Sequence, residues 1–77
     1  MIATIKIDMD INEMLFQDVE VEVFYTRENN FDGSSYVKVH EYCCSDTSLT
    51  PNEQKICNEK LDKYFEQIVT KINEYEN

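Results

Sequence analysis

The clearest structural signal in the chain is DVEVEVFYT, at residues 18–26. β-Branched side chains recur there at every second position, and acidic ones fill most of the gaps, which is typical of a strand with one buried face. We therefore predict a strand at residues 18–26. The side chains expected toward the core are Val19, Val21, Val23 and Tyr25. The side chains expected on the opposite face are Asp18, Glu20, Glu22 and Phe24.

The same alternation, less strict, occurs on either side of this strand. Residues 2–9 predict a strand whose core face carries Ala3, Ile5, Ile7 and Met9. Residues 10–12 are polar enough to turn, and the apolar residues 14–16 are predicted to form a short turn at the edge of the core. Residues 27–35 predict a loop around the pair Asp32-Gly33, because glycine readily adopts positive φ.

A third strand is predicted at residues 36–43. Val37, Val39 and Cys43 are expected to point one way. The side chains expected to point the other way are Tyr36, Lys38, His40 and Tyr42. Glu41 would then lie on the apolar face, so we expect a bulge or fraying near it.

The segment Thr50-Pro51-Asn52-Glu53 predicts a helix start. Thr50 can cap, proline suits the first helical position, and Glu53 completes a capping box. Apolar residues then follow at steps of three and four and predict a helix at about residues 51–75. The face they define carries Cys57, Leu61, Tyr64, Phe65, Ile68, Ile72 and Tyr75, widened by Ile56 and Val69. Such a helix is about 37 Å long, longer than the predicted strands, so its final turn is expected to project or to meet a partner.

The order strand, strand, strand, helix predicts the fold class α+β. Short connections favour a three-stranded antiparallel β-meander, with one long C-terminal helix packed on one face. The chain has 77 residues, so we expect one domain at 1–77. One face of this small sheet should remain uncovered.

The composition excludes several classes of function. There are 16 acidic and 7 basic side chains and a net charge of -9, which argues against direct binding to nucleic acid or to an anionic membrane. An apolar fraction of 42% argues against disorder. The N-terminus does not resemble a signal peptide, and no stretch is apolar enough to span a membrane. With three cysteines, an odd number, a reduced cytoplasmic protein is expected.

The acidic excess is concentrated in the predicted sheet. Residues 1–49 carry ten acidic and three basic side chains, whereas the rest carries six and four. Glu20 and Glu22 share a strand face about 7 Å apart, similar to the distance between successive phosphates of a nucleic-acid strand. The surface is either a phosphate-like row that binds a basic groove or a solvated face that keeps the protein soluble. Its candidate partner-binding residues are Asp8, Asp10, Glu13, Asp18, Glu20 and Glu22.

Metal and catalytic sites are weakly indicated. Asp8, Asp10 and Asn12 begin like a calcium loop, but Glu13 replaces the required glycine and Val19 the required glutamate. The candidate zinc ligands lack paired knuckle spacing; they are His40, Cys43, Cys44 and Cys57. One histidine and one glycine provide neither a nucleophile-base pair nor a phosphate loop. We therefore predict no enzyme activity, no resident metal and no cofactor.

Aromatic residues are expected on the uncovered face of the sheet. Phe24, Tyr36 and Tyr42 share it in the predicted pattern. Aromatic side chains there either stabilise the sheet by cross-strand pairing or form an interface. A homodimer is one such interface.

The layout resembles small acidic proteins encoded by bacteriophages. The features that carry the resemblance are the strand at residues 18–26, the strand Tyr36-Val37-Lys38-Val39 and the helix opening Leu49-Thr50-Pro51-Asn52-Glu53. Proteins of this type include inhibitors of host enzymes and of host defence systems, and several imitate DNA. The resemblance implies a phage inhibitor in the host cytoplasm, but it transfers no functional residue.

Three functions follow from the sequence. The leading hypothesis is a non-enzymatic module that binds the basic surface of a host nucleic-acid-binding protein by DNA mimicry. The second is a homodimeric structural or scaffold protein whose acids serve solubility. The third is a small zinc-binding domain.

Overall fold

The computed structural model describes residues 1–76 and confirms the predicted βββα layout. Three antiparallel strands form one sheet in the order β1-β2-β3, and a helical segment follows. The elements are β1 (Ile2–Ile11), β2 (Met14–Asn29), β3 (Ser35–Cys44), α1 (Pro51–Lys60), a 3-10 turn (Leu61–Tyr64) and α2 (Phe65–Glu76).

The helical segment covers one face of the sheet, here called the core face; the other is called the open face. Every second residue of β1 and of the central part of β2 is buried against the helices, as the alternation predicts. The buried core consists of Ala3, Ile5, Ile7, Met9, Ile11, Val19, Val21, Val23, Tyr25, Leu49, Cys57, Leu61, Ile68 and Ile72. No buried side chain among the described residues is charged, so the acids are all at or near the surface.

The first two strands extend further than predicted. The turn between them consists only of Asn12 and Glu13, with φ of 53° and 66°. Two successive residues with positive φ match the right-handed twist of paired strands, so pairing continues to the turn. The prediction of a short turn at residues 14–16 is therefore wrong: these residues begin β2, and Ile11 pairs with Met14.

Two bulges interrupt the ladders. In the first, β2 has an extra residue opposite Asp8, and Asp18 takes a φ of 55°. In the second, Phe24 pairs with Glu41 while Tyr25 pairs with Val39, so His40 is the extra residue. The bulge expected near Glu41 is confirmed, and it places Glu41 on the open face beside Phe24.

The second bulge reverses the predicted orientation of the end of β3. Tyr42 pairs with the buried Val23 and packs on the core, although we predicted it on the uncovered face. Cys43 pairs with Glu22 and is exposed, although we predicted it toward the core. Both predictions assumed unbroken alternation, and one inserted residue exchanges the two faces.

The helix begins where predicted, and both hydrogen bonds of the capping box are present. Glu53 N–H donates to Thr50 Oγ1 at 3.2 Å, and Thr50 N–H donates to Glu53 Oε1 at 2.9 Å. A 3-10 turn at Leu61–Tyr64 tightens the middle of the segment. Phe65 and Tyr75 are exposed, at 43% and 61%, although the periodicity placed them on the buried face.

The last turn of the helix packs on the sheet, so the predicted overhang is wrong. Glu76 accepts hydrogen bonds from the Tyr25 hydroxyl and from the Arg27 guanidinium, the latter at 3.1 Å. The molecule extends 44 Å along its longest axis, which exceeds the length of about 37 Å expected for the helix. Within residues 1–76, no helix has both the length and the apolar character needed to cross a membrane.

Candidate protein-interaction surface

The open face carries a row of acidic side chains along its central strand. Glu20 and Glu22 lie there side by side and are half-buried between the neighbouring strands. Glu22 is flanked by Thr4 on β1 and by Cys43 on β3. Glu20 and Glu22 are thus brought together as the sequence predicts.

Asp8 and Asp18 extend this row through the first bulge. The Asp18 N–H donates to Asp8 Oδ1 at 3.0 Å, so the carboxylate of Asp8 stabilises the bulge. The positive φ of Asp18 is a conformation that aspartate tolerates better than most residues. Both side chains are exposed, so the bulge presents two acids close together at the surface.

Asp10 and Glu13 lie at the hairpin end of the sheet, away from Glu22. Asp10 pairs with Leu15 on the open face, and its N–H donates to the Tyr64 hydroxyl at 2.9 Å. Glu13 is the second residue of the tight turn and is exposed. These two acids form the end of the surface, and the remaining candidate acids form its middle.

Asp46 is an acidic residue at this surface that the sequence analysis missed. It follows β3, and its Oδ2 accepts from Glu20 N–H at 3.2 Å, while the Ser45 N–H donates to Glu20 O at 3.0 Å. Its Oδ1 accepts from the N–H and hydroxyl of Ser48, at 2.9 and 2.5 Å. Hydrogen bonding to Ser48 is the main cause that lowers the pKa of Asp46, and Lys6 contributes. The order Asp-x-Ser signals such a turn in the sequence, but not its contact with Glu20.

Lys6 changes the charge pattern that the sequence suggests. The sequence from Ile7 to Thr26 has no basic residue, yet strand pairing places Lys6 directly opposite Glu20. Lys38 lies opposite Thr26 on the same face. Strand pairing also assigns further acids to this face, besides Asp10 and the acids at the bulge and the turn: Glu20, Glu22, Glu28 and Glu41. The surface is therefore acidic with two lysines inside it.

Two of the three predicted aromatics lie on the open face. Phe24 pairs with Ile2 and is half-buried, and Tyr36 pairs with Glu28 and is 47% exposed. Tyr42 lies on the core face, where its hydroxyl donates to Asp62 Oδ1 and its ring centroid is 6.2 Å from that of Phe65. The bond to Asp62 is the main cause that raises the pKa of Tyr42.

The four candidate zinc ligands are divided between the two faces. His40 bonds to the Thr26 hydroxyl at 2.8 Å on the open face, where Cys43 also lies. Cys44 and Cys57 face the core instead. In residues 1–76 no group of three or more histidine, cysteine or acidic side chains is arranged to hold a metal ion. The bulge places His40 on the same face as Cys43, whereas the ordinary alternation of a strand directs Cys43 and Cys44 to opposite faces.

The chain was compared with protein-family models, with curated proteins and with solved structures. No family model, no curated protein and no solved structure matches the chain.

Proposed function

We propose that this protein is a non-enzymatic interaction module whose open face binds the basic, nucleic-acid-binding surface of another protein. The observation that carries the proposal is the position of Glu20 and Glu22, adjacent on the central strand of the face that the helix leaves uncovered. Acids extend from this pair toward both ends of the sheet. A surface of this kind attracts a basic partner and accelerates encounter.

The spacing of the acids supports a nucleic-acid-binding protein as the partner. Glu20 and Glu22 are separated by about 7 Å along the strand, comparable to neighbouring phosphates. A basic groove that binds phosphates through lysine and arginine can bind carboxylates with the same groups. The resemblance to small acidic phage proteins favours a host enzyme or a host defence complex as the owner of that groove.

The position of Lys6 on the open face favours one orientation of a bound partner. Lys6 lies beside the Glu20 end of the acidic pair, so a partner approaching there meets one positive charge among the acids. A like-charge contact penalises misaligned binding. We therefore expect the partner's basic groups to align with Glu22 and Glu41 and to avoid Lys6.

The test is capture of proteins from a host lysate on the immobilised chain, with charge-reversed variants. The face variant is Glu20→Lys with Glu22→Lys. The matched control is Glu59→Lys with Glu66→Lys, which changes the net charge equally at exposed positions of the helical segment. We expect the face variant to lose the captured protein, the control to retain it, and excess duplex DNA or high salt to displace it.

The dissociation constants of the captured partner for wild type and for each variant then measure the size of the effect. Reversing two charges opposite a basic surface should weaken affinity at least tenfold, equivalent to about 1.4 kcal/mol. A complex insensitive to salt, or equal losses in the face variant and the helix control, would contradict the proposal.

A homodimer is the second candidate, because apolar side chains are exposed at one end of the open face. Ile2 is 59% exposed and lies directly beside Phe24, and Tyr36 is 47% exposed on the same face. Sedimentation over a range of concentrations tests it. We expect Ile2→Asp to dissociate a dimer formed there, and a monomer at the highest concentration would exclude this candidate.

A further inference from the structure

The cysteines Cys44 and Cys57 come together at the junction between the sheet and the first helix. Cys44 ends β3 on the core face and packs against the core, and Cys57 is fully buried in α1. The Cys44 N–H donates to Asn58 Oδ1 at 2.7 Å, which fixes the end of the strand against the residue next to Cys57. This hydrogen bond, and the packing of Cys44 on the buried cluster that contains Cys57, place both cysteines at one contact between strand and helix.

We propose that Cys44 and Cys57 form a modification site that a small disulfide compound oxidises to an intramolecular disulfide bond. Both cysteines face the core, and the hydrogen bond from Cys44 to Asn58 already holds together the strand end and the helix that carry them. The third cysteine, Cys43, takes no part, because the register of β3 directs it to the open face beside Glu22. Adjacent cysteines also pair poorly with each other, since their side chains diverge on a strand.

The chemistry is two successive thiol-disulfide exchanges. The thiolate of the half-buried Cys44 attacks one sulfur of the compound, forms a mixed disulfide and expels one thiolate, which takes up a proton. Cys57 then loses its proton to solvent and attacks the sulfur of Cys44, expelling the second thiolate. Two protein thiols are oxidised to one disulfide, and the compound is reduced to two thiols.

The second exchange is the slow one. Burial, followed by the contact with Cys44, raises the pKa of the Cys57 thiol to about 12. Its Sγ also contacts Met9 Sδ at 3.3 Å. Few Cys57 thiolates exist at neutral pH, so the rate of closure should rise with pH. At Cys43, burial and then Glu22 raise the pKa, which disfavours reaction there.

The experiment treats the folded, reduced protein with 2-hydroxyethyl disulfide, an uncharged compound that the acidic surface does not repel. Trypsin cleaves after Lys38, Lys55 and Lys60, so it separates a peptide with Cys43 and Cys44 from a peptide with Cys57. We expect these two peptides to be joined, and the intact mass to fall by two hydrogen atoms. Cys43→Ser should close equally well, and Cys44→Ser should not close.

Denaturation of the oxidised protein provides a second measurement. The bond closes a loop of about 14 residues, which restricts the unfolded chain, so the urea midpoint should rise and return to its starting value with dithiothreitol. The proposal is overturned by a mixed disulfide that never closes, by a bond that needs Cys43, or by closure only in denaturant.

Discussion

The two faces of the sheet are built from the same strands in opposite ways. On the core face, β1 and β2 place Ile and Val at every second position, and these side chains are almost completely buried. On the open face, the residues that alternate with them are mainly acidic, with Lys6 and Phe24 among them, and β3 adds Lys38 and Tyr36. The comparison indicates that the core face determines whether the chain folds, whereas the open face is available to determine what it binds. Substitutions on either face test this separation.

The largest effect is expected from neighbouring substitutions on opposite faces of β1. Ile7→Ala removes a buried side chain that is 2% exposed and should reduce the free energy of unfolding by about 2–5 kcal/mol. Lys6→Ala, one residue away on the open face, should change it by less than about 0.5 kcal/mol. Urea denaturation of both variants measures the difference, and comparable losses would show that the faces are not energetically separate.

A smaller loss is expected at Asp46, which links the connector after β3 to the acidic strand. Asp46→Ala leaves Glu20 N–H and Ser48 N–H without their acceptor and should cost about 1–2 kcal/mol. Because the pKa of Asp46 is lowered in the folded state, its contribution is present above its ordinary pKa of 3.8 and is lost as the pH falls through the folded value. Wild type should therefore lose its advantage over the variant in strongly acidic urea titrations.

A gain in stability is expected at the hairpin turn. Glu13 has a φ of 66°, a left-handed conformation that costs a non-glycine residue roughly 1 kcal/mol. Glu13→Gly places a glycine directly after Asn12, and asparagine followed by glycine is the preferred pair for this turn. The variant should raise the free energy of unfolding by about 0.5–1 kcal/mol. An unchanged or lower urea midpoint would contradict the positive φ. The same variant tests the end of the acidic surface, since it removes one charge.

The smallest effect on stability near neutral pH is expected from the side-chain hydroxyl of Tyr25, which donates a hydrogen bond to Glu76. Its hydrogen bond to Glu76 is the main cause that raises the pKa of Tyr25 to about 12. The folded state therefore holds the phenolic proton more tightly than the unfolded state, so stability falls as the pH rises from about 10 to about 12. Tyr25→Phe should flatten this alkaline loss, and Tyr36→Phe on the open face should leave it as in wild type.

The sequence predicted correctly those features that depend on interactions between residues close in the chain. The capping box at Thr50 and Glu53 lies within four residues, and it formed as predicted. The orientation of Tyr42 and Cys43 depended on a bulge two residues earlier and was predicted wrongly. Glu41, an acid in an apolar position, was the only sign of that bulge. Glu20 and Glu22 lie side by side as predicted. Lys6 lies next to Glu20 through strand pairing, and Asp46 contacts Glu20 through a hydrogen bond. Neither neighbour could be predicted from a local sequence pattern.

The sequence alone determined the order of the elements, the start of the helix and the buried face of the first two strands. These follow from side-chain periodicity and capping, which act over a few residues. Tertiary structure decided the tight turn at Asn12 and Glu13, the bulges at Asp18 and His40, and the packing of the end of β3 against the helix that carries Cys57. The physical reason is that register and bulges depend on pairing with another strand, and one inserted residue transfers every later side chain to the opposite face.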